Sequence, residues 1–230
     1  MKTNILAIIP ARGNSKRLPN KNIKPLMGKP LIAYTIDAAQ KSKYITRIVV
    51  TTDNVKISQA AKEYGAEVIK RPKIIAKDTA PVVKAIKHTV EFLKNKENYQ
   101  PEIIALLQPT SPLKKPEDID RTIKKFIDKK ADSVQSFCKI KEHPYYAFKI
   151  LKDKAIPLDK KNFTKRFQDL PKFYRESGAV YVFKTSLLKR NTMYGKKNYA
   201  IVMPYERSID VDSWLDFEIA KLIIKNKKCK

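Results

Sequence analysis

A rhythm constrains this chain more than any other feature: short apolar runs of strand length alternate with longer segments patterned as helices. Residues 4–9 read as a buried strand, stopped by Pro10. Pro30 suits the first turn of a helix, and Leu31, Ile32, Tyr34, Thr35, Ala38 and Ala39 fall on one helical face. A second strand over 45–52 ends in Thr52-Asp53-Asn54, where Asp53 or Asn54 can cap a helix that reaches Tyr64 and stops at Gly65. Strand 67–70, helix 82–94, strand 103–107, helix 116–129 and strand 132–137 continue the pattern. Such alternation predicts an α/β fold, a doubly wound and mainly parallel sheet. The rhythm breaks between 139 and 174, a stretch rich in aromatics, prolines and charges, which reads as a β-arm inserted in one domain spanning 1–230. Strands at 179–183 and 200–203, a short helix between them and a last helix over 213–225 complete the expectation.

Composition narrows the class. With 230 residues and 43% hydrophobic content, the chain can bury roughly 70–75% of its unfolded surface. Collagen, coiled coil and disordered tail are excluded. No apolar run reaches the roughly 18–20 residues that span a bilayer, and the opening run stops at Pro10, too short for a signal peptide. The two cysteines, Cys138 and Cys229, stand too far apart in sequence to suggest a disulfide framework, and a cytoplasmic protein is expected.

The net charge of +26 raises the question of a polyanionic partner. Only nine of the 49 basic residues are arginine, the side chain whose fork reads bases and phosphates, and the lysines are scattered without a block. A lysine-biased soluble surface is therefore expected, with anionic small-molecule substrates and adventitious polyanion binding as alternatives that charge alone does not separate; no nucleic-acid or membrane partner is expected.

Several constellations carry chemistry. The loop Arg12-Gly13-Asn14-Ser15-Lys16-Arg17, with Lys21-Asn22, follows the first strand, where doubly wound sheets bind ligands. Gly13 permits a tight turn whose N–H groups can hold phosphate oxygens, and Arg12, Lys16 and Lys21 add charges suited to a triphosphate. It is neither a GxxxxGK loop nor a GxGxxG fingerprint. In Ile209-Asp210-Val211-Asp212, extended alternation puts Asp210 and Asp212 on one side, a pair that invites Mg²⁺. The same segment also reads as a helix start capped by Asp212 with Asp216 in the first turn, and both readings can hold together. Leu107-Gln108-Pro109-Thr110-Ser111-Pro112 is a strand end followed by a stiff turn, suited either to ligand contact or to structure alone. Arg71-Pro72 and Asp78-Thr79 follow the third strand on the same edge. His88 and His143 read as structural or surface residues.

Taken in order, Ile9-Pro10-Ala11-Arg12-Gly13-Asn14-Ser15-Lys16, Lys21-Asn22, Thr51-Thr52-Asp53, Arg71-Pro72, Leu107-Gln108-Pro109-Thr110-Ser111-Pro112, His143-Pro144, Gly178-Ala179-Val180-Tyr181 and Ile209-Asp210-Val211-Asp212 resemble the CMP-sialic acid synthetases, the acylneuraminate cytidylyltransferase family. The resemblance covers nearly the whole chain. It implies a nucleotidyltransferase fold of Rossmann-like type. It also implies an enzyme that joins CTP to a nine-carbon 2-keto sugar acid and releases pyrophosphate. Arg12, Lys16, Lys21, Asn22 and Arg71 would then hold the nucleotide, with Arg12, Lys21 and Asp212 central to catalysis. Asp210 and Asp212 would hold Mg²⁺, and Gln108, Arg175 and Tyr181 would face the sugar. It implies a homodimer too, with segment 139–174 as the dimerisation arm.

Two departures touch the acceptor side: Ser177 where relatives commonly have Asn, and Phe167 interrupting an Arg-Gln pair. N-acetylneuraminate, legionaminate and pseudaminate all fit the resemblance. The alternatives are a 3-deoxy-manno-octulosonate enzyme and, from another class, a basic nucleic-acid-binding module. The latter lacks RNP-type aromatics and a zinc pattern.

Overall fold

The computed structural model describes residues 4–228; Cys229 lies outside them. Strand β1 (Ile5–Pro10) is followed by a tiny hairpin, β2 (Pro25–Leu26) and β3 (Lys29–Pro30), and by helix α1 (Leu31–Gln40). Then come β4 (Arg47–Thr52), α2 (Val55–Glu63), β5 (Glu67–Lys70), α3 (Val82–Glu97), β6 (Ile103–Leu107), α4 (Pro116–Asp128) and β7 (Ser133–Lys139). The arm carries β8 (Phe148–Leu151) and β9 (Lys154–Pro157), after which β10 (Tyr174–Lys184), β11 (Asn198–Val202) and α5 (Trp214–Lys228) close the chain. The short helix expected between the last two strands is a 3-10 segment, Thr185–Arg190.

Seven strands form one sheet in the order β11-β7-β10-β6-β1-β4-β5. Pairings of β1 with β4 and β6, of β4 with β5 and of β7 with β11 are parallel, whereas β10 runs antiparallel to both β6 and β7. The sheet is thus doubly wound and mainly parallel. Strand order reverses between β1 and β6, and the crevice beyond their carboxyl ends is the topological switch point of such a sheet.

Side-chain alternation along β1 builds two cores. Ile5, Ala7 and Ile9 face α1, α2 and α4 through Ile32, Ile36, Ile57 and Ile119. Leu6 and Ile8 face the opposite side, where Ile86 and Leu93 of α3 cover them. At about 25 cal/mol per Å² of apolar surface, each fully buried Ile or Leu contributes on the order of 1.5–3 kcal/mol. A third cluster matters more for function. Leu18, Leu26, Leu31, Leu113, Ile209, Val211 and Phe217 pack together, so α5 is bolted to the loop after β1 and to the start of α1.

Hydropathy marks only the inner part of β10, because Tyr174 and Arg175 are exposed. The strand begins five residues earlier than residue 179, and its register against β7 jumps: between Glu176 and Tyr181, five steps on β10 face two on β7. This bulge holds Gly178 at φ 74, a left-handed conformation that glycine adopts without steric cost. Strands β8 and β9 pair with each other alone through a two-residue turn, Lys152-Asp153, with φ of 46 and 64. Positive φ at both positions matches the right-handed twist of a hairpin.

Candidate active site

The loop after β1 is positioned from beneath. Asp53, just past β4, accepts a hydrogen bond from Gly13 N–H at 2.9 Å, while Asn54 caps α2 by accepting from Ile57 N–H at 3.1 Å. A Cβ on residue 13 would stand 2.7 Å from Asn54 Nδ2, so the close approach needs glycine. Asn22 is buried and donates to the Arg12 carbonyl at 3.0 Å, tying the loop's two ends together. Its Oδ1 has no partner among the described residues. Asn54, not Asp53, is therefore the helix cap, and Asp53 supports the loop.

The aspartate pair is set by strand-like alternation. Ile209 and Val211 enter the third core cluster, which turns Asp210 and Asp212 to the opposite side. Val211 N–H donates to the Thr110 carbonyl at 2.7 Å, fastening the segment to the turn after β6. Two residues upstream of Ile209, Arg207 donates twice to the fully buried Asp118 carboxylate, at 2.8 and 2.9 Å. The helix start differs from one of the two sequence readings. Ser213 caps α5: Asp216 N–H donates to its hydroxyl at 3.3 Å, and Asp216 Oδ2 accepts from Ser213 N–H at 2.8 Å. This reciprocal box leaves the Asp212 carboxylate free to face the cleft.

A cleft of about 620 Å³ opens at the switch point, lined by both loops and by β10. Arg12, Lys16, Lys21, Asn22 and Arg71 line it, as do Gln108, Tyr181, Asp210 and Asp212. Arg175 does not. Its exposed guanidinium folds back on the backbone, donating to the carbonyls of Glu176 at 3.1 Å and Ser208 at 3.3 Å, beside the aspartate segment. Ser177 is likewise turned away: it is 1% exposed, and its hydroxyl shares a 2.6 Å hydrogen bond with Ser136. Phe167 packs edge-on against His143 inside the arm. Neither departure in the sequence faces the cleft.

Charges in the cleft are paired in advance. Arg12 and Lys16 both reach Asp78 at 3.0 Å, and hydrogen bonding to Lys16 foremost holds that carboxyl below its ordinary range. Lys21 meets Asp212 at 2.7 Å, and Arg17 reaches the same carboxylate at 3.5 Å. Arg71 is buried, donates to the Thr51 carbonyl at 2.7 Å, and burial lowers its pKa to about 10. Asp210 moves the other way: burial, with the Asp212 charge beside it, pushes its carboxyl up despite a hydrogen bond to Thr110. Its Oδ1 is buried without a partner among the described residues. Behind the turn, Lys114 is 4% exposed and donates at 2.7 Å to both the Gln108 carbonyl and the Thr35 hydroxyl; burial lowers its pKa to about 7.

Two hard carboxylates, one with an orphaned buried oxygen, fit an oxygen-loving divalent cation that completes its shell with water and phosphate oxygens. Among the described residues, no group of three or more His, Cys, Asp or Glu side chains is arranged for a metal. Lys114, the pairing of Asp78 with Arg12 and Lys16, and the bulge that holds Gly178 are the parts of the site that the sequence motifs do not describe.

Comparison with known proteins identifies the family. A family model described as Cytidylyltransferase matches residues 6–227. The chain is 34% identical over 231 residues to the N-acylneuraminate cytidylyltransferase of Escherichia coli O18:K1:H7, covering 99% of this chain and 54% of that protein, about half its length. It is 33% identical over 224 residues to the pseudaminic acid cytidylyltransferase of Campylobacter jejuni, covering 96% of each. A solved CMP:2-keto-3-deoxy-manno-octonic acid synthetase complexed with CTP shares the fold, with a TM-score of 0.72 at 17% identity over 98% of this chain and 100% of that one. The chain belongs to the cytidylyltransferase family, among its acylneuraminate and nonulosonate members.

Proposed function

We propose that this protein transfers CMP from CTP to the anomeric hydroxyl of a nine-carbon 2-keto sugar acid and releases pyrophosphate. The observation that carries the reading is the cleft itself: Arg12, Lys16 and Lys21 line it together with Asp210 and Asp212 at the switch point, in a chain of this family. A bond forms from the anomeric oxygen to the α-phosphorus while the α–β phosphoanhydride bond breaks, and the hydroxyl proton passes to solvent. Alignment and charge neutralisation supply most of the rate in such a transfer.

Arg12, Lys16 and Lys21 bind the triphosphate, displacing the internal carboxylates that now hold them. Asn22 and Arg71 shape the nucleotide end. Asp210 and Asp212 hold Mg²⁺, which when bound shields phosphate charge. Gln108 and Tyr181 face the acceptor, and Arg175, at the rim beside Ser208, meets its carboxylate.

Two finer points belong to the same reading. The arm exposes Phe148, Ile150, Leu151 and Leu158, an apolar set that a second copy of this chain covers in a homodimer. A cytoplasmic location suits an enzyme that uses CTP and keeps Cys138 free and buried; no helix among the described residues is long and apolar enough to cross a membrane.

The test is pyrophosphate release from CTP and Mg²⁺ with a panel of nonulosonic acids and with 3-deoxy-manno-octulosonate. Release with a nonulosonic acid, and not when ATP, GTP or UTP replaces CTP, supports the reading. Release with 3-deoxy-manno-octulosonate alone replaces it, and absence of CTP binding overturns it.

A further inference from the structure

We propose that Glu176, clasped by Tyr181 and Tyr194, recognises a positively charged nitrogen substituent, an amine or an amidine, on the acceptor sugar acid. This rests on the cytidylyltransferase reading above and names the acceptor class within it.

Glu176 opens the bulge in β10. Tyr181 donates its hydroxyl to Glu176 Oε2 at 3.1 Å, and the Tyr194 hydroxyl lies 3.1 and 3.2 Å from the two carboxylate oxygens. Tyr181 is raised well above the ordinary phenol range, and Tyr194 is pushed up to about 12, in both cases by burial and by the Glu176 charge. Both phenols therefore keep their protons and spend them on the carboxylate. What remains on the outer side of the cluster is acceptors only: carboxylate and phenolic lone pairs.

Its position links it to the reacting end. Tyr181 lines the cleft and feels the charge of Asp210 as well as that of Glu176. Glu176 is half-buried and Tyr194 is 43% exposed, so a ligand extending past Tyr181 can reach both.

Two of the three acids lining the cleft have cations, Asp210 being the exception. Asp78 pairs with Arg12 and Lys16, and Asp212 pairs with Lys21 and Arg17. Glu176 makes no ion pair among the described residues, and the neighbouring Arg175 turns to backbone carbonyls instead. A lone carboxylate is costly beside a triphosphate and a sugar carboxylate unless the acceptor itself brings a compensating charge. A neutral acylamino group offers one N–H but also a carbonyl, which an acceptor-only surface repels. An ammonium or amidinium offers donors and charge together, so the cluster selects it and rejects the acyl form.

The experiment compares pairs of nonulosonic acids that differ at one nitrogen, acetylated in one member and free amine or acetamidino in the other, at each nitrogen-bearing carbon in turn. Pyrophosphate release from CTP and Mg²⁺ is the readout. For one such pair kcat/KM favours the cationic member by about tenfold or more. E176Q, which keeps the shape and can still accept from both phenols, brings the pair within about twofold with an unchanged KM for CTP. Y194F keeps the charge and therefore keeps the preference. Equal or reversed preference in the wild type, or a preference that survives E176Q, overturns the proposal. Turnover of acetylated acceptors alone overturns it while cytidylyl transfer stands; no pyrophosphate from any acceptor overturns both.

Discussion

Lys21 and Asp212, 191 positions apart in sequence, meet at 2.7 Å across the cleft. The lysine comes from the loop after β1 and the aspartate from the approach to α5, and both elements are anchored in one apolar cluster through Leu18, Leu26, Ile209 and Val211. Their meeting is thus a consequence of hydrophobic packing on the far side of each segment. On the proposed reading, a triphosphate would take over Lys21 and leave the Asp212 carboxylate to a cation.

Asp212→Asn keeps the shape of this contact and removes its charge. Turnover should fall on the order of 10²-fold or more, with CTP binding in the absence of metal retained. The check is kcat across a Mg²⁺ titration; a near-wild-type kcat at saturating Mg²⁺ refutes the metal role.

Arg12 and Lys16 share Asp78, so a nucleotide bound there as proposed would compete with an internal acid. Arg12→Ala should raise KM for CTP by about tenfold or more while changing the acceptor KM little. Asp78→Asn should act in the opposite direction, lowering KM for CTP by about two- to fivefold, because exposed pairs of this kind are worth only about 1 kcal/mol or less. The gain should shrink as salt is added.

Arg175 stands outside the cleft proper. Its replacement by Ala should raise the acceptor KM by about tenfold with little change in CTP binding. Isothermal titration with CTP alone separates the two, and a selective loss of CTP binding contradicts the assignment.

Lys114 gives stability a pH dependence of definite sign. Its pKa is about 7 when folded against 10.5 in its ordinary state, so between those values the unfolded chain binds the additional proton. Stability should therefore rise with pH through that window, by up to about 1.4 kcal/mol per pH unit from this group. Lys114→Met should remove that slope. Melting temperatures of the two proteins at pH 7, 8 and 9 decide the matter; parallel curves refute it.

Most of the sheet was legible because buried strands are written in consecutive apolar residues: Ile5 to Ile9, Ile103 to Leu107 and Val180 to Phe183 have few other places to go. The outer half of β10 was not, since Tyr174 to Glu176 are half-buried or exposed and their pairing with β7 leaves no hydropathic trace. The charged loop and the aspartate pair were legible as local patterns. What Asp78, Lys114 and Glu176 do depends on partners distant in sequence: Arg12, Thr35 and Tyr194. The resemblance implies that Arg175 faces the sugar; in the structure its side chain turns onto the Ser208 carbonyl outside the cleft lining, beside a bulge that no periodicity reports.

The alternation at 209–212 also determines which genetic changes this site tolerates. Adding or removing one residue between Thr110's partner Val211 and the cap at Ser213 would reverse the faces, sending aspartates toward Phe217 and aliphatic side chains toward the nucleotide. Point substitutions there can be graded in effect, whereas a frame-preserving insertion or deletion abolishes helix docking and chemistry in one step. Length in this segment is inherited all or nothing.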